Sequence, residues 1–270
     1  MHPSEIQSLK VIVTLTTLPD RLPYLQPVID SIRSQKLIPE QIELYIPQKY
    51  RRKDLRVDSF TAFPAGCEVV RCDFDYGPAT KILPAVKRHA NSDVALVYCD
   101  DDRIYDDEWL SRLVSASEKN PGAVIAEEAM NSQARLDTIF WRQRPLLYKV
   151  LRLLSLGQWK CGDKHSSFFD IAEGYGGVLV KPEFFPDEVF YIPDILWTVD
   201  DIWLSGMFSK AGRKIIKTQR TQARGSVPSP NSEETQSVSL KNLVYRNHNR
   251  LASDYYGIKY MNEKFGVFNI

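Results

Sequence analysis

Short apolar runs separated by polar segments divide the first half of the chain into two kinds of element. Runs with the β-branched and aromatic content of buried strands lie at residues 10–17, 42–47, 67–72, 94–99 and 123–126. Helical spacing of apolar residues, or an acidic helix start, predicts helices at 24–35, 82–89 and 106–120. Strands alternating with helices predict an α/β fold, with a mixed, mostly parallel sheet flanked by helices in a single domain over residues 1–270.

Several polar residues follow directly after the predicted strands or in the turns behind them. The carboxyl ends of parallel strands meet at one edge of the sheet, and α/β proteins bind their ligands beyond that edge. We therefore expect one crevice to be lined by Thr16, Thr17, Arg21, Asp75, Lys81, Asp100, Asp101 and Asp102.

The fourth apolar run ends in three consecutive carboxylates, Asp100, Asp101 and Asp102. Side chains alternate along an extended chain, so we expect Asp100 and Asp102 on one face and Asp101 on the other. Packed carboxylates are costly without a cation, and hard oxygen ligands suit Mg²⁺ or Mn²⁺ carrying a phosphate. The pattern predicts a metal site, and a solvated, acid-rich loop is the alternative.

The turn at residues 75–81 joins an acid, flexible backbone and a lysine at the start of a predicted helix. The Asp75 carboxylate could accept a hydrogen bond from a base imide or a ribose hydroxyl, and Lys81 could reach a phosphate. The alternative is a plain helix cap with a surface lysine. Next to the three carboxylates, we favour nucleotide binding.

Two features of the second half carry further chemistry. The glycine-rich stretch 174–177 precedes an apolar strand, and it could form a substrate floor or only a tight turn. Asp200 and Asp201 lie on the first turn of a predicted helix, where an acid could simply cap the helix. Alternatively, one acid orients an acceptor hydroxyl while the other removes its proton as a general base.

Two basic segments complete the set of candidates. Near the C-terminus, His248 could complete a metal shell or lie at the surface, and the flanking Arg246 and Arg250 could bind a diphosphate. The segment 140–159 interleaves apolar and aromatic residues with cations. It could rest on a membrane surface or cover the acceptor; we favour an ordinary amphipathic helix packed on the core.

Composition and charge limit the class of protein. The 35 Lys and Arg residues nearly balance the 34 Asp and Glu residues, so nucleic-acid binding is not expected. No apolar run approaches the roughly 20 residues of a membrane helix, and the polar start lacks the apolar core of a signal peptide. The four cysteines form no Cys-x-x-Cys pair. We expect a cytoplasmic protein, with the inner face of the membrane as an alternative place; a shortened, membrane-anchored lumenal enzyme would look the same.

Taken together, these residues resemble the nucleotide-sugar glycosyltransferases of the GT-A fold, a Rossmann-like α/β fold. The features occur in the family's order and over most of the chain. They are the strand end at Thr16 and Thr17, Asp75 with Lys81, the Asp-x-Asp motif at 100–102, the glycines at 174–177 and the pair Asp200 and Asp201.

On the donor side, the resemblance implies that Thr16 and Asp75 bind uridine. Lys81 matches a basic residue that is often near the donor. Asp100 would contact ribose or the metal, and Asp102 would bind the Mn²⁺ or Mg²⁺ that bridges the diphosphate.

On the acceptor side, residues 200–203 resemble the Glu-Asp-Val-Tyr type of motif in inverting members of the family. That match makes Asp201 the base. His248 resembles the C-terminal metal-ligand histidine of many such enzymes. Asp200 departs from the motif, because relatives often have Glu there, and this leaves the linkage open.

The implied activity is metal-dependent transfer of a sugar from a nucleoside diphosphate, expected to be UDP, to a hydroxyl of a glycan or glycolipid, with inversion. Such a reaction would serve polysaccharide biosynthesis. Residues of about 10–103 would form the donor half, 104–215 the acceptor half, and 216–270 a segment that closes the site. A haloacid-dehalogenase-like phosphatase and an inactive sugar-nucleotide binder are the alternatives.

Overall fold

The computed structural model describes residues 9–51, 62–143, 168–219, 225–230, 249–268 and 270. Its strands are β1 (Val11–Thr16), β2 (Gln41–Pro47), β3 (Glu68–Cys72), β4 (Ala95–Tyr98), β5 (Arg103–Tyr105), β6 (Val124–Ala126), β7 (Ala129–Met130), β8 (Ile171–Ala172), β9 (Val178–Val180), β10 (Ile215–Lys217) and β11 (Ser226–Pro228). Its α-helices are α1 (Gln26–Arg33), α2 (Leu83–Arg88), α3 (Trp109–Lys119), α4 (Ser132–Gln143), α5 (Asp200–Lys210) and α6 (Arg250–Phe265). Short 3-10 helices lie at Pro19–Tyr24, Gly77–Lys81, Gly174–Gly176, Pro182–Phe184, Asp187–Phe190 and Asp194–Leu196.

The central sheet has seven strands in the order β10-β6-β9-β4-β1-β2-β3. Neighbouring strands run parallel, except that β9 runs antiparallel to both β4 and β6. The prediction of an α/β fold with a mixed, mostly parallel sheet is thereby confirmed. The parallel strands β4, β1, β2 and β3 end at the same edge of the sheet, where a ligand site is expected.

The core consists of two apolar layers, one on each face of the sheet. In β1, Val11, Val13 and Leu15 pack with α1 and α3, whereas Ile12 packs on the other face with α2, α5 and α6. A strand that is buried on both faces is apolar throughout, which explains why these runs show no polar alternation. The two layers fix the strand ends from which the site residues project.

The predicted strands are all present, and each begins and ends within one residue of its predicted bounds. The helices are shorter than predicted. The stretch predicted as a helix from residue 24 begins only at Gln26, after the 3-10 helix Pro19–Tyr24, and α3 begins at Trp109 rather than at residue 106. Pro27 has no backbone N–H and is tolerated only in the first turn of an α-helix, which agrees with a start at Gln26.

The sequence pattern did not predict four elements that border the site. Strand β5 follows the three carboxylates directly and pairs antiparallel with β11. Helices α4 and α6 were also missed. In α6 the buried residues include Ser253, Asp254 and Gly257, so polar and small side chains hide the apolar period by which a helix is recognised.

None of the described helices is both long and apolar enough to cross a membrane. Residues 144–167 lie outside the described part of the chain, and they contain most of the basic segment 140–159. The two interpretations of that segment, membrane contact and core packing, therefore stay predictions. Arg246 and His248 likewise lie outside the described residues.

Candidate active site

Lys81 joins two groups of carboxylates that are far apart in the sequence. Its Nζ lies 2.7 Å from Asp100 Oδ1, at the end of β4, and 2.9 Å from Asp200 Oδ2, on the first turn of α5. The Lys81 side chain is only 5% exposed. Burial opposes its charge, but Asp100, Asp200 and Asp201 hold the pKa of Lys81 well above its usual value. One buried cation thus contacts both the first carboxylate after β4 and the first acid of α5.

The chain places Lys81 there through the turn that precedes α2. Both carboxylate oxygens of Asp75 are engaged by backbone, one by Gly77 N at 2.8 Å and the other by Arg51 N at 2.7 Å. The Thr80 hydroxyl accepts a hydrogen bond from Tyr76 N and tightens the same turn. Asp75 therefore stabilises the turn before the helix, which is the structural role considered as the alternative to nucleotide binding. Its contact with a nucleotide stays a prediction.

Asp201 is held by the glycine-rich stretch. Its Oδ1 accepts a hydrogen bond of 2.9 Å from Gly174 N. Burial raises the pKa of Asp201 to about 7, and the charge of Asp200 adds to this shift, whereas Lys81 and Arg250 act in the opposite direction. A carboxyl that titrates near neutral pH and has a fixed orientation is suited to general-base catalysis. Neither Asp200 nor Asp201 caps α5, whose first flanking residue is Val199.

The three carboxylates after β4 do not alternate as predicted. Asp101 and Asp102 lie in a turn, and both approach Arg21, at 2.5 Å and 3.6 Å respectively. Asp101 also accepts a hydrogen bond of 2.6 Å from the Thr17 hydroxyl. The strand ends at Tyr98, so the period of an extended chain no longer applies to the residues that follow. Asp100 alone of the three contacts Lys81 within the described part of the chain.

Thr17 and Arg21, both predicted to line the crevice, each donate a hydrogen bond to Asp101 and fasten the end of β1 to the turn after β4. The hydroxyl of Thr16, predicted to lie near uridine, donates a hydrogen bond of 2.7 Å to Tyr45 O in the neighbouring strand. Thr16, Thr17, Arg21 and Asp101 therefore lie at the carboxyl ends of the strands, the edge of the sheet where they were predicted. Their contacts with a nucleotide stay predictions.

The carboxylates after β4 suit a divalent cation in chemistry and charge. Burial raises the pKa of Asp102 to about 6, and the charges of Asp100 and Asp101 add to this shift, whereas Arg21 and Arg103 act in the opposite direction. Mg²⁺ is usually held by one or two carboxylates, with phosphate and water as its other ligands. No set of three or more His, Cys, Asp or Glu side chains within the described ranges is arranged to hold a metal ion. Asp100 and Asp102 are the two carboxylates predicted to hold such a cation, and their joint binding of it stays a prediction.

Three contributions to the site could not be located from the sequence. Arg250, at the start of α6, donates a hydrogen bond of 2.8 Å to Thr198 O, just before the two acids of α5. The Tyr105 hydroxyl lies 3.3 Å from Asp100 O and 3.2 Å from Tyr175 O. Gly174 supplies a backbone N–H to Asp201. All three contacts involve backbone atoms, which a sequence does not distinguish from one residue to the next, and Arg250 had been noted only as a cation beside His248.

The absence of a side chain at Gly174 keeps Lys81 and Asp201 in place. A Cβ at this position would lie 2.4 Å from Lys81 Nζ and 3.2 Å from Asp201 Oδ1. We expect Gly174→Ala to displace both groups and to lower turnover by about 10²-fold, as small misplacements of catalytic groups do. Steady-state kinetics of the purified variant measure the loss.

Gly212→Ala is the control, because a Cβ at Gly212 meets nothing within 4 Å. Its φ of +70° makes alanine strained there, so the control should lose about 1 kcal/mol of stability with normal turnover. Normal turnover of Gly174→Ala would show that Lys81 and Asp201 need no fixed arrangement.

Comparison with known proteins assigns the chain to a family. The family model described as Glycosyl transferase family 2 matches residues 13–169, more than half of the chain. No curated protein matches the chain.

Among solved structures, glucosyl-3-phosphoglycerate synthase from Mycobacterium tuberculosis is similar over 80% of this chain and 74% of its own, with 15% identity and a TM-score of 0.42. The same protein in complex with Mn²⁺, uridine diphosphate and glucosyl-3-phosphoglycerate is similar over 83% and 79%, with 14% identity and a TM-score of 0.44. The assignment rests on the family match and not on these likenesses. The chain belongs to Glycosyl transferase family 2, which confirms the prediction that it is a GT-A nucleotide-sugar glycosyltransferase.

Proposed function

We propose that this glycosyltransferase moves a sugar from a UDP donor, held with Mn²⁺ or Mg²⁺, to a hydroxyl of a glycan or glycolipid, with inversion. The observation that carries the proposal is the position of Lys81, whose Nζ contacts Asp100 of the Asp-x-Asp motif and Asp200 beside the candidate base. One buried cation thus lies between the residues assigned to the donor and those assigned to the acceptor.

On the donor side, Asp100 and Asp102 would hold the divalent cation. When bound, the cation offsets the negative charge of the diphosphate and so favours its departure. Lys81 adds a second positive charge that is already oriented by buried contacts, and such preorganised charge is effective in a water-poor site. The positively charged Arg21, next to Asp101 and Asp102, keeps the turn of carboxylates closed.

On the acceptor side, Asp201 would take the proton of the acceptor hydroxyl as that oxygen attacks the anomeric carbon. The Gly174 N–H fixes one carboxylate oxygen, which leaves the other to accept the proton. Asp200 is engaged by Lys81 and therefore acts as a positioning residue for that lysine. Attack from the face opposite the leaving diphosphate gives inversion.

Metal dependence and donor choice can be tested together. We expect the protein with Mn²⁺ to release UDP slowly from at least one of UDP-glucose, UDP-galactose and UDP-N-acetylglucosamine, and to stop when EDTA is added. Release of UDP is measured by a coupled assay. Turnover of GDP- or dTDP-sugars alone would contradict the UDP assignment, and undiminished turnover in EDTA would contradict the metal assignment.

The same assay separates the two alternatives. The phosphatase interpretation is wrong as to family, because the match over residues 13–169 is to glycosyltransferases. Release of phosphate from p-nitrophenyl phosphate is accordingly not expected. UDP-sugar binding without turnover, in the presence of acceptor sugars, would favour the inactive binder.

We also propose which parts of the chain bind the donor and the acceptor, and where in the cell the protein acts. Residues of about 10–103 would bind the donor, 104–215 the acceptor, and 216–270 would close the site, as the position of Arg250 beside the acids of α5 supports. The free thiols of Cys67, Cys72 and Cys99 support a reducing compartment such as the cytoplasm. A role in polysaccharide synthesis at the inner membrane face would fit a glycolipid acceptor.

A further inference from the structure

The turn formed by residues 173–177, here called the glycine turn, lies between the candidate base and the carboxylates after β4. Gly174 N binds Asp201 Oδ1 at 2.9 Å. The Tyr105 hydroxyl binds Tyr175 O at 3.2 Å and Asp100 O at 3.3 Å. The glycine turn therefore contacts the candidate base directly and the first carboxylate after β4 through Tyr105.

The backbone of the glycine turn is fixed on several sides. Trp109 Nε1 donates a hydrogen bond of 2.7 Å to Gly176 O, and Glu173 N donates one of 2.9 Å to Glu128 O. Within the turn, Gly177 N donates to Gly174 O at 3.0 Å. Only two of the five residues carry side chains, and a rigid backbone holds them in place. These two, Glu173 and Tyr175, are both half-buried.

Glu173 bears a charge that is balanced only at a distance. Its carboxylate accepts a hydrogen bond from the Tyr175 side chain, and burial raises its pKa. The cations that face it are committed elsewhere, since Arg135 Nη2 lies 2.7 Å from Asp254 and Lys217 Nζ lies 2.7 Å from Glu128. Within the described ranges Glu173 forms no ion pair, so acceptor capacity remains on its carboxylate.

Tyr175 presents an aromatic ring and a hydroxyl in fixed positions. The guanidinium of Arg103 lies 5.1 Å from the ring centroid, and Ser226 O accepts a hydrogen bond of 2.7 Å from Arg103. Burial raises the pKa of Tyr175, so its hydroxyl stays protonated and remains a donor. An aromatic body with a polar tip suits a ligand that has both C–H faces and hydroxyls.

We propose that Glu173 and Tyr175 bind the acceptor and select a neutral, hydroxyl-rich saccharide over an acidic one. The inference rests on the proposed function, because it takes Asp201 as the base. The carboxylate of Glu173 accepts hydrogen bonds from saccharide hydroxyls, and Tyr175 packs against the sugar ring. An acidic sugar meets the charge of Glu173 and is rejected, since specificity can be built from repulsion as well as from contact.

The proposal is tested by saccharide binding to the full chain, measured by ligand-observed NMR with and without Mn²⁺ and UDP. The neutral probes are the methyl glycosides of glucose, galactose, mannose and N-acetylglucosamine, and the acidic probe is methyl glucuronide. We expect a neutral glycoside to bind and the glucuronide not to bind. Glu173→Gln should weaken the neutral glycoside by about tenfold and admit the glucuronide. Tyr175→Phe keeps the aromatic ring but removes the hydrogen bond that positions the Glu173 carboxylate, so it should weaken the neutral glycoside only about threefold. UDP affinity should not change.

Glu183→Gln and Tyr191→Phe are the matched controls, because both residues are exposed and lie on other turns. Equal or tighter binding of the glucuronide by the wild type overturns the proposal, and so does unchanged glycoside binding by Glu173→Gln. Failure of every neutral glycoside to bind also overturns it. An octyl glycoside that binds where its methyl counterpart does not would show that the alkyl chain is recognised, which contradicts the proposal. Failure of the wild type to bind UDP would instead contradict the proposed function. Saccharide binding and UDP binding are measured separately, so the two outcomes can be distinguished.

Discussion

Asp201→Asn is expected to reduce turnover by about 10³-fold while nucleotide binding stays close to that of the wild type. Asparagine keeps an oxygen that can accept the hydrogen bond from Gly174 N, so the local geometry is preserved. It cannot take a proton from the acceptor hydroxyl. Single-turnover kinetics with a UDP-sugar and a saturating acceptor measure the loss, and calorimetric titration with UDP measures the retained binding.

The same substitution should stabilise the protein at alkaline pH. The pKa of Asp201 is raised to about 7 by burial and by Asp200, so ionisation of this carboxyl disfavours the folded state. The stability that the protonated carboxyl contributes is present at acidic pH and is lost as pH rises through about 7. Asn does not ionise, so the variant should unfold roughly 2–6 °C above the wild type at pH 8 and should match it near pH 4.

Asp187→Asn is the control for both measurements, because Asp187 is an exposed acid on the first turn of another helix. It should change neither turnover nor the pH dependence of unfolding. If Asp201→Asn retained near-normal turnover, another group would have to be the base. If the stability of Asp201→Asn equalled that of the wild type at every pH, the Asp201 carboxyl would not have a raised pKa in the folded protein.

Lys81→Met is expected to remove activity and to destabilise the protein by about 3–5 kcal/mol, the usual effect of leaving a buried charge without its partner. Methionine has nearly the length of lysine but no charge, so Asp100 and Asp200 lose their shared cation. Chemical denaturation and UDP-sugar turnover measure the two effects. Lys81→Arg should not retain activity. The Gly174 backbone lies so close to Lys81 Nζ that the larger guanidinium has no room there.

Lys259→Met is the matched control. Lys259 is half-exposed and lies 3.6 Å from Glu263 in an i,i+4 pair on α6, so its removal should change stability by less than about 0.5 kcal/mol. Full activity of Lys81→Met would contradict the assignment of one shared site. A loss of stability without a loss of turnover in the refolded enzyme would make Lys81 a structural residue alone.

The sheet could be predicted because strands buried on both faces leave a direct record in the sequence. Runs such as residues 94–99 are apolar throughout, and their ends fall where a charge first appears. Since parallel strands end at one edge, the positions of Thr17 and Asp101 followed from the order of the elements alone. Their mutual hydrogen bond was not predicted, because a hydroxyl and a carboxylate could equally have faced a ligand.

The orientation of the carboxylates could not be predicted, because it depends on where β4 ends. Continuing the strand through residue 102 places Asp100 and Asp102 on one face, whereas the turn brings Asp101 and Asp102 to Arg21. Backbone donors such as Gly174 N are invisible in a sequence for a similar reason, since any residue carries the same N–H. Helix α6 was missed for a different reason. Its Asp254 is buried, whereas an aspartate in a sequence is normally taken for a surface residue.

That buried acid explains how the C-terminal helix reaches the site. Asp254 is fully buried and is paired with Arg250 Nε at 3.2 Å and with Arg135 Nη2 at 2.7 Å. One carboxylate thus links α6 to α4 and orients the arginine whose charge lowers the pKa of Asp201. Recognition of this network requires the long-range contact itself, which no local pattern contains.

The most direct test of the central claim is calorimetric titration of UDP into the wild type and Asp102→Asn, each with Mn²⁺ and with EDTA. We predict that the wild type binds UDP only with Mn²⁺ and that Asp102→Asn weakens this binding by about 10–100-fold. Binding of UDP that is equally tight in EDTA, or unchanged in Asp102→Asn, would contradict a metal-bound nucleotide at the carboxylates after β4.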